Sequence, residues 1–179
     1  KQIHQGPLLG VEVEVEGCRL PPRLPGFKVV GEGSLREVHG EAGREYVFKN
    51  PVALDTAMEQ LAFLHNKLND VRADPLGCVV FSDRTSVHVH INVADLTVPE
   101  WFTFLFLWVL YENAMIDYCG KERRGNLFCL SSRDAEGLMF RLAKFAQNRH
   151  AVWNVLDDEV RYCAVNIAAT AKYGSVEFR

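Results

Sequence analysis

The chain has 179 residues, 48% of them hydrophobic, with 20 Lys and Arg against 23 Asp and Glu and a formal net charge of −3. That length supports one domain with a real core, and the lack of a basic excess excludes broad, charge-driven binding to a phosphate backbone, so no nucleic-acid partner is expected. Five widely spaced cysteines with no C-x-x-C pair suggest neither a disulfide framework nor a zinc ribbon, and they fit a reducing cytoplasm.

The N-terminal run Lys1-Gln-Ile-His-Gln-Gly-Pro7 lacks the apolar core of a signal peptide. Beyond it, Gly10-Val-Glu-Val-Glu-Val-Glu-Gly17 alternates apolar and acidic residues without a break. On a strand this alternation puts Val11, Val13 and Val15 on one face and Glu12, Glu14 and Glu16 on the other. The carboxylates then stand roughly 7 Å apart at about 3.4 Å per residue, and their repulsion needs compensation. Hard divalent cations such as Mg²⁺ would supply it. The alternative is a half-exposed strand with a solvated acidic face, and Glu16, Glu32 and Arg36 are read as solvated or supporting residues.

Leu20-Pro-Pro-Arg-Leu-Pro-Gly26 reads as a connecting loop, because prolines remove donors from a sheet. Phe27–Val30 is a short strand, and Gly31-Glu-Gly-Ser-Leu35 a turn that lacks the Lys-Ser or Lys-Thr of a phosphate-binding P-loop. Arg44–Lys49 alternates again, with Glu45, Val47 and Lys49 on one face and Tyr46 and Phe48 on the other. Apolar residues at 54, 57, 58, 61, 64 and 68 recur with helical spacing and predict an amphipathic helix.

Cys78–Phe81 is a short strand, and Thr85–Val93 a clear one whose apolar face is Val87, Val89, Ile91 and Val93. His88, His90 and Asn92 share the opposite face. Thr97-Val-Pro-Glu100 starts a helix that runs to about Cys119 and is apolar nearly all round, which predicts contacts on several sides. Its run from Trp101 to Tyr111 is shorter than the roughly 20 apolar residues of a bilayer span, so no membrane partner is expected. Residues 120–126, including Arg123 and Arg124, form a basic surface loop. A further helix is predicted from Asp134 to about Arg149, with Leu138, Leu142, Phe145 and Ala146 inward. Two strands close the chain, Val160–Ala168 and Gly174–Arg179, the second with Glu177 and Arg179 on one face. Cys129 and Cys163 read as core cysteines.

Glu12 and Glu14, His88 and His90, and Glu177 and Arg179 are thus strand residues at two-residue spacing. Neighbouring strands would converge them on one pocket in which carboxylates and an imidazole hold Mg²⁺ or Mn²⁺ and an arginine meets a phosphoryl group.

Six segments, Gly10-Val-Glu-Val-Glu14, Glu32-Gly-Ser-Leu35, Arg44-Glu-Tyr-Val-Phe-Lys-Asn-Pro51, Ser86-Val-His-Val-His-Ile91, Arg161-Tyr followed by Asn166, and Val176-Glu-Phe-Arg179, together resemble the phage-type amidoligases. These belong to the carboxylate-amine ligase superfamily with glutamine synthetase and glutamate-cysteine ligase. The resemblance implies an α+β fold, a curved, mainly antiparallel sheet with helices packed on one face, like a glutamine synthetase catalytic domain, over residues 1–179. It implies ATP and Mg²⁺ or Mn²⁺ as cofactors, and an amide formed from a small-molecule or peptide carboxylate and an amine through an acyl phosphate. Glu12, His88 and Glu177 correspond to ligands of one metal, Glu14 and Glu45 to ligands of a second. His90, Arg179 and Arg161 correspond to residues facing the phosphates, with Ser34 also in the nucleotide site. Related ligases complete a site with a neighbouring subunit, so a homo-oligomer is among the expected partners.

The chain departs from the family in carrying Glu32 where Asp is usual. Family chains also run on past the Glu-x-Arg strand, so truncation at the C-terminus is expected. Two rivals remain, a non-catalytic binding protein of the same fold and a different His-x-His metalloenzyme of cupin type. Two long helical patterns count against the cupin reading.

Overall fold

The computed structural model describes residues 6–120, 124–126, 129–147 and 163–179. The architecture mixes α and β, with helices and an open sheet whose strands pair mainly antiparallel. Two compact units divide the chain, Lys1–His90 and Ile91–Arg179.

In the first unit β1 (Leu9–Cys18) is central. β3 (Arg44–Phe48) pairs antiparallel with it, β2 (Phe27–Gly31) flanks β3, and β4 (Cys78–Val80) pairs with the last residues of β1. The first four residues of β5 (Val87–Asn92) complete this unit, on the side of β1 away from β3. Helix α1 (Leu54–Ala73) closes the core, which gathers Val11, Val13, Val15, Phe27, Tyr46 and Phe48 with Ala57, Leu64 and Leu68. Phe27 meets Tyr46 and Phe48 edge-on at ring separations of 6.3 and 5.4 Å. Leu20 and Leu24 of the proline-rich loop also enter this core, and Tyr46 donates its hydroxyl to the Pro21 carbonyl at 3.1 Å. The loop is therefore a packed element as well as a connection.

Several expectations change here. Leu54 and Met58, predicted on the inner stripe of α1, are each 60% exposed. The buried line is Ala57, Leu64, Leu68 and Val71, and Met58 lies about 100° round the helix from it. The acidic face of β1 is not a solvated one, since Glu14 and Glu16 are buried. Glu16 accepts the backbone N–H of Arg36 at 2.8 Å. On β5 the predicted faces differ in burial from expectation, with Val87 exposed and His88 buried, because the imidazole face is the one that meets β1's carboxylates. Gly43 allows a tight approach beside this sheet. A Cβ there would lie 2.6 Å from Leu35 Cβ and 3.1 Å from the Val15 carbonyl.

The second unit contains α2 (Val98–Cys119), α3 (Glu136–Gln147), β6 (Val165–Asn166), α4 (Ala168–Tyr173) and β7 (Ser175–Phe178). Strand β6 pairs antiparallel with β7, placing Asn166 opposite Glu177. Helix α2 begins as its sequence predicts: the Thr97 N–H and hydroxyl donate to the Glu100 carboxylate at 2.8 and 2.6 Å, and Pro99 occupies the first turn. Those bonds hold the Glu100 carboxyl below its ordinary value. The core joins Trp101 and Leu105 to Leu138, Leu142, Val165, Ile167 and Val176.

Among the described residues, contacts on several sides of α2 are not found, and Phe102, Phe104 and Trp108 pack partly against the same core as its buried line. Trp101, Leu105 and Glu112 are its buried residues, on one line at helical spacing, while Phe106, Leu107, Leu110, Tyr111, Met115 and Tyr118 are exposed. Helix α3 starts two residues after Asp134, which accepts the Ser131 hydroxyl at 2.8 Å in the preceding turn. Leu138 and Leu142 are buried as expected, whereas Arg149 and the side chains of Phe145 and Ala146 fall outside the described residues. Of the predicted strand over 160–168, residues 160–162 also fall outside. Among the described residues of that stretch, Val165–Asn166 forms a strand, Cys163 makes an isolated parallel bridge to Leu130, and Ala168 opens α4, whose Ala-Ala-Thr-Ala-Lys composition favours helix. Gly174, at φ 67°, ends α4 in the left-handed conformation and turns the chain into β7. Among the described residues no helix is long and apolar enough to cross a membrane.

Candidate metal centre

Pairing between β1 and β3 sets Glu14 directly opposite Glu45, with Glu12 two residues away on the same face of β1. Like charges directly opposite each other destabilise a sheet, so this register needs a compensating positive charge or a proton. The other edge of β1 supplies imidazoles. The Glu14 N–H donates to the Ser86 carbonyl at 2.9 Å, which fixes the segment leading into β5. His88 Nδ1 then lies 3.1 Å from Glu12 Oε2, and His90 Nε2 lies 3.3 Å from Glu12 Oε1. One carboxylate thus receives two imidazoles, one on each oxygen.

Ser86 completes the network. Its hydroxyl donates to Glu14 Oε2 in a short hydrogen bond, and the same oxygen meets His88 Nε2 at 2.7 Å. Ser86 is not among the residues expected from the sequence, although alternation along the strand puts residue 86 on the face of 88 and 90.

Burial alone would raise the Glu12 carboxyl. Hydrogen bonds and charge from His88 and His90 outweigh burial and hold it well below the usual carboxylate range. Glu45 is displaced the other way, pushed up to about 7 by burial first, then by the charge of Glu12, a hydrogen bond with it, and the charge of Glu14. Two neighbouring carboxyls displaced in opposite directions behave as a pair that shares a proton. Glu12, Glu45 and His88 each bring one ligand atom within 4.8 Å of the others, a separation that one cation can bridge. The resemblance divides these three between two metals; the geometry gathers them at one point.

In the second unit, Glu177 is buried on β7. Its carboxylate accepts Asn166 Nδ2 at 2.7 Å and pairs with Arg179 Nε at 2.8 Å. These contacts orient both the predicted ligand and the predicted phosphate-facing arginine. Ser34 is exposed in its turn, where its N–H donates to Glu32 Oε1 at 3.0 Å and its carbonyl accepts Arg84 Nη1 at 3.1 Å. Arg161 and Arg123 lie outside the described residues. Arg124 forms an exposed pair with Asp117, as befits a surface loop, and Arg36 one with Asp83. An open pocket lined by Arg23, Phe27, Val29 and Lys49 shares no residue with the carboxylate–imidazole cluster.

No protein-family model, curated protein sequence or solved structure matches the chain. The donor set and its geometry therefore carry the functional reading.

Proposed function

We propose that the chain is an ATP-dependent carboxylate–amine ligase related to the phage-type amidoligases. The observation that carries this reading is the gathering of three carboxylates, Glu12, Glu14 and Glu45, with two imidazoles, His88 and His90, on facing strand positions. The donor set fits a hard divalent cation, since carboxylate oxygens dominate it and a single imidazole is compatible with Mn²⁺ as well as Mg²⁺. The upward displacement of Glu45 by burial and by the neighbouring Glu12 and Glu14 marks where positive charge is wanted. Glu12, Glu14, Glu45 and His88 would hold the ions, and the resemblance gives Glu177 the role of a ligand. Bound there, Mg²⁺ or Mn²⁺ supplies neutralisation of polyphosphate charge.

In the proposed reaction a substrate carboxylate takes the γ-phosphoryl group of ATP, giving ADP and an acyl phosphate. An amine then attacks the acyl carbon, a C–N bond forms, and phosphate and a proton leave. Arg179, with a planar fork suited to phosphate, and His90 are assigned to the transferring group, with Arg161 and Ser34 in support. The Glu177–Arg179 pair positions the guanidinium before substrate arrives.

Calorimetric titration of ATP with and without Mg²⁺ or Mn²⁺, on the native chain and on Glu12→Gln, tests the reading. Metal-dependent binding lost in Glu12→Gln, followed by phosphate release with a carboxylate and amine pair, is expected. A folded protein that binds neither cation nor ATP would overturn it.

A further inference from the structure

Cys18 and Cys78 are 60 residues apart in a chain with no C-x-x-C pair, and sequence spacing does not connect them. The antiparallel pairing of β1 with β4 puts them directly opposite each other. Their sulfurs are 2.7 Å apart, the Cys18 N–H donates to Cys78 Sγ at 3.0 Å, and the Cys18 thiol points at the Leu76 carbonyl at 3.3 Å. Gly17 makes this approach possible, since a Cβ there would come within 2.2 Å of the Cys78 carbonyl oxygen.

A histidine lies beside the pair. Val38 and Glu41 exchange backbone hydrogen bonds, both at 3.0 Å, around a two-residue turn formed by His39 and Gly40. Both turn residues have positive φ, 52° and 78°, as the tight hairpin turn with two left-handed positions requires. His39 brings a ring nitrogen to this pair, so that two sulfurs and an imidazole lie within 4.8 Å of one another. Cys18 is buried, Cys78 half-buried and His39 exposed, which leaves the cluster open on the histidine side.

We propose that Cys18, Cys78 and His39 form a site for a thiophilic divalent cation, Zn²⁺ by chemical class, separate from the carboxylate–imidazole centre and independent of the ligase reading. Two thiolates and an imidazole are the donor set that a borderline-soft ion selects, whereas Mg²⁺ and Mn²⁺ select oxygen. A tetrahedral ion with bonds of about 2.3 Å sets its sulfurs roughly 3.8 Å apart, so the two thiols open by about 1 Å on binding. Side-chain rotation on facing strands supplies that movement. The backbone N–H that donates to Cys78 Sγ holds that sulfur in position for an ion. Water or an external ligand takes the fourth position. Uptake displaces thiol protons, so affinity rises with pH.

The probe is Co²⁺, titrated into the full chain kept reduced with a phosphine. A thiolate-to-cobalt charge-transfer absorption saturating at one equivalent and displaced by Zn²⁺ is expected. Cys18→Ser and Cys78→Ser should abolish it, while Cys119→Ser and Glu12→Gln should leave it intact. His39→Asn keeps a residue that tolerates the left-handed turn, removes the imidazole, and should weaken binding at least tenfold. Absence of the band in folded protein, its survival in both cysteine variants, or an unchanged affinity in His39→Asn would each overturn the site. Should a cysteine variant fail to fold, His39→Asn on the exposed turn still decides.

Discussion

Replacing Glu45 by Gln separates the cost of the carboxylate cluster from its use. In the folded chain Glu45 is pushed from 4.5 up to about 7, so between those values the native state binds more protons than the unfolded state. Stability must then fall as pH rises through that window and level off above it. The whole displacement corresponds to about 3.4 kcal/mol, at about 1.36 kcal/mol per pH unit. Glu45 keeps some contact with solvent, which screens the interaction and leaves about 1–2 kcal/mol. Glu12 is displaced downward, so its contribution is present above the ordinary carboxylate range and disappears only as pH falls below it. It therefore does not confuse the window above pH 5. Urea unfolding at intervals from pH 5 to 8 with a chelator present should show Glu45→Gln gaining about 1–2 kcal/mol relative to the native chain as pH rises. With Mg²⁺ at about 100 times its dissociation constant the native chain recovers about 2.7 kcal/mol and the variant recovers little. Parallel stability curves for the two proteins without metal would refute the shared-proton account.

Ser86→Ala removes the hydroxyl between Glu14 and His88 and should lower divalent-cation affinity roughly 10- to 100-fold in calorimetric titration, with an unchanged affinity counting against an orienting role. Glu112→Ala strips the acceptor from the Trp108 indole N–H and from the Ser132 N–H and hydroxyl, all inside the second unit. Denaturant unfolding should show a loss of roughly 3–5 kcal/mol, and a loss below about 1 would show that water satisfies those donors. Gly43→Ala places a methyl against Leu35 and should cost about 1–3 kcal/mol in the same assay, unless the turn yields. In thiol labelling, exposed Cys119 should react at once. Buried Cys129 and Cys163 should react only on unfolding, the Cys163 thiol being pushed up to about 11 by burial, then by Glu112 and Cys129.

The first unit was largely legible because period-two alternation is a local property. Val11, Val13 and Val15 inward, Tyr46 and Phe48 inward, and the shared faces of Glu12 with Glu14 and of His88 with His90 follow from side-chain direction alone. The opposition of Glu14 and Glu45 is a matter of register between strands distant in sequence, and the pairing of Cys18 with Cys78 is another. Neither leaves a mark in spacing. The second unit was less legible. A uniformly apolar helix does not say which of its faces will find a partner, and α2 buries a single line containing a carboxylate, Glu112. The stretch after Ile167 failed for a different reason, since six residues of Ala, Thr, Lys and Tyr are too few to show helical periodicity.

Strict alternation along β1 also bears on how faithfully the chain folds. A slip of one residue against β3 would carry Glu12, Glu14 and Glu16 into the layer occupied by the valines and expel the valines from it. The same carboxylates that gather charge therefore act as a key for alignment, making every odd-numbered misregistration prohibitive. Converting them to valines would do more than abolish cation binding. It would leave β1 with two equivalent faces and nothing in its own sequence to choose between them.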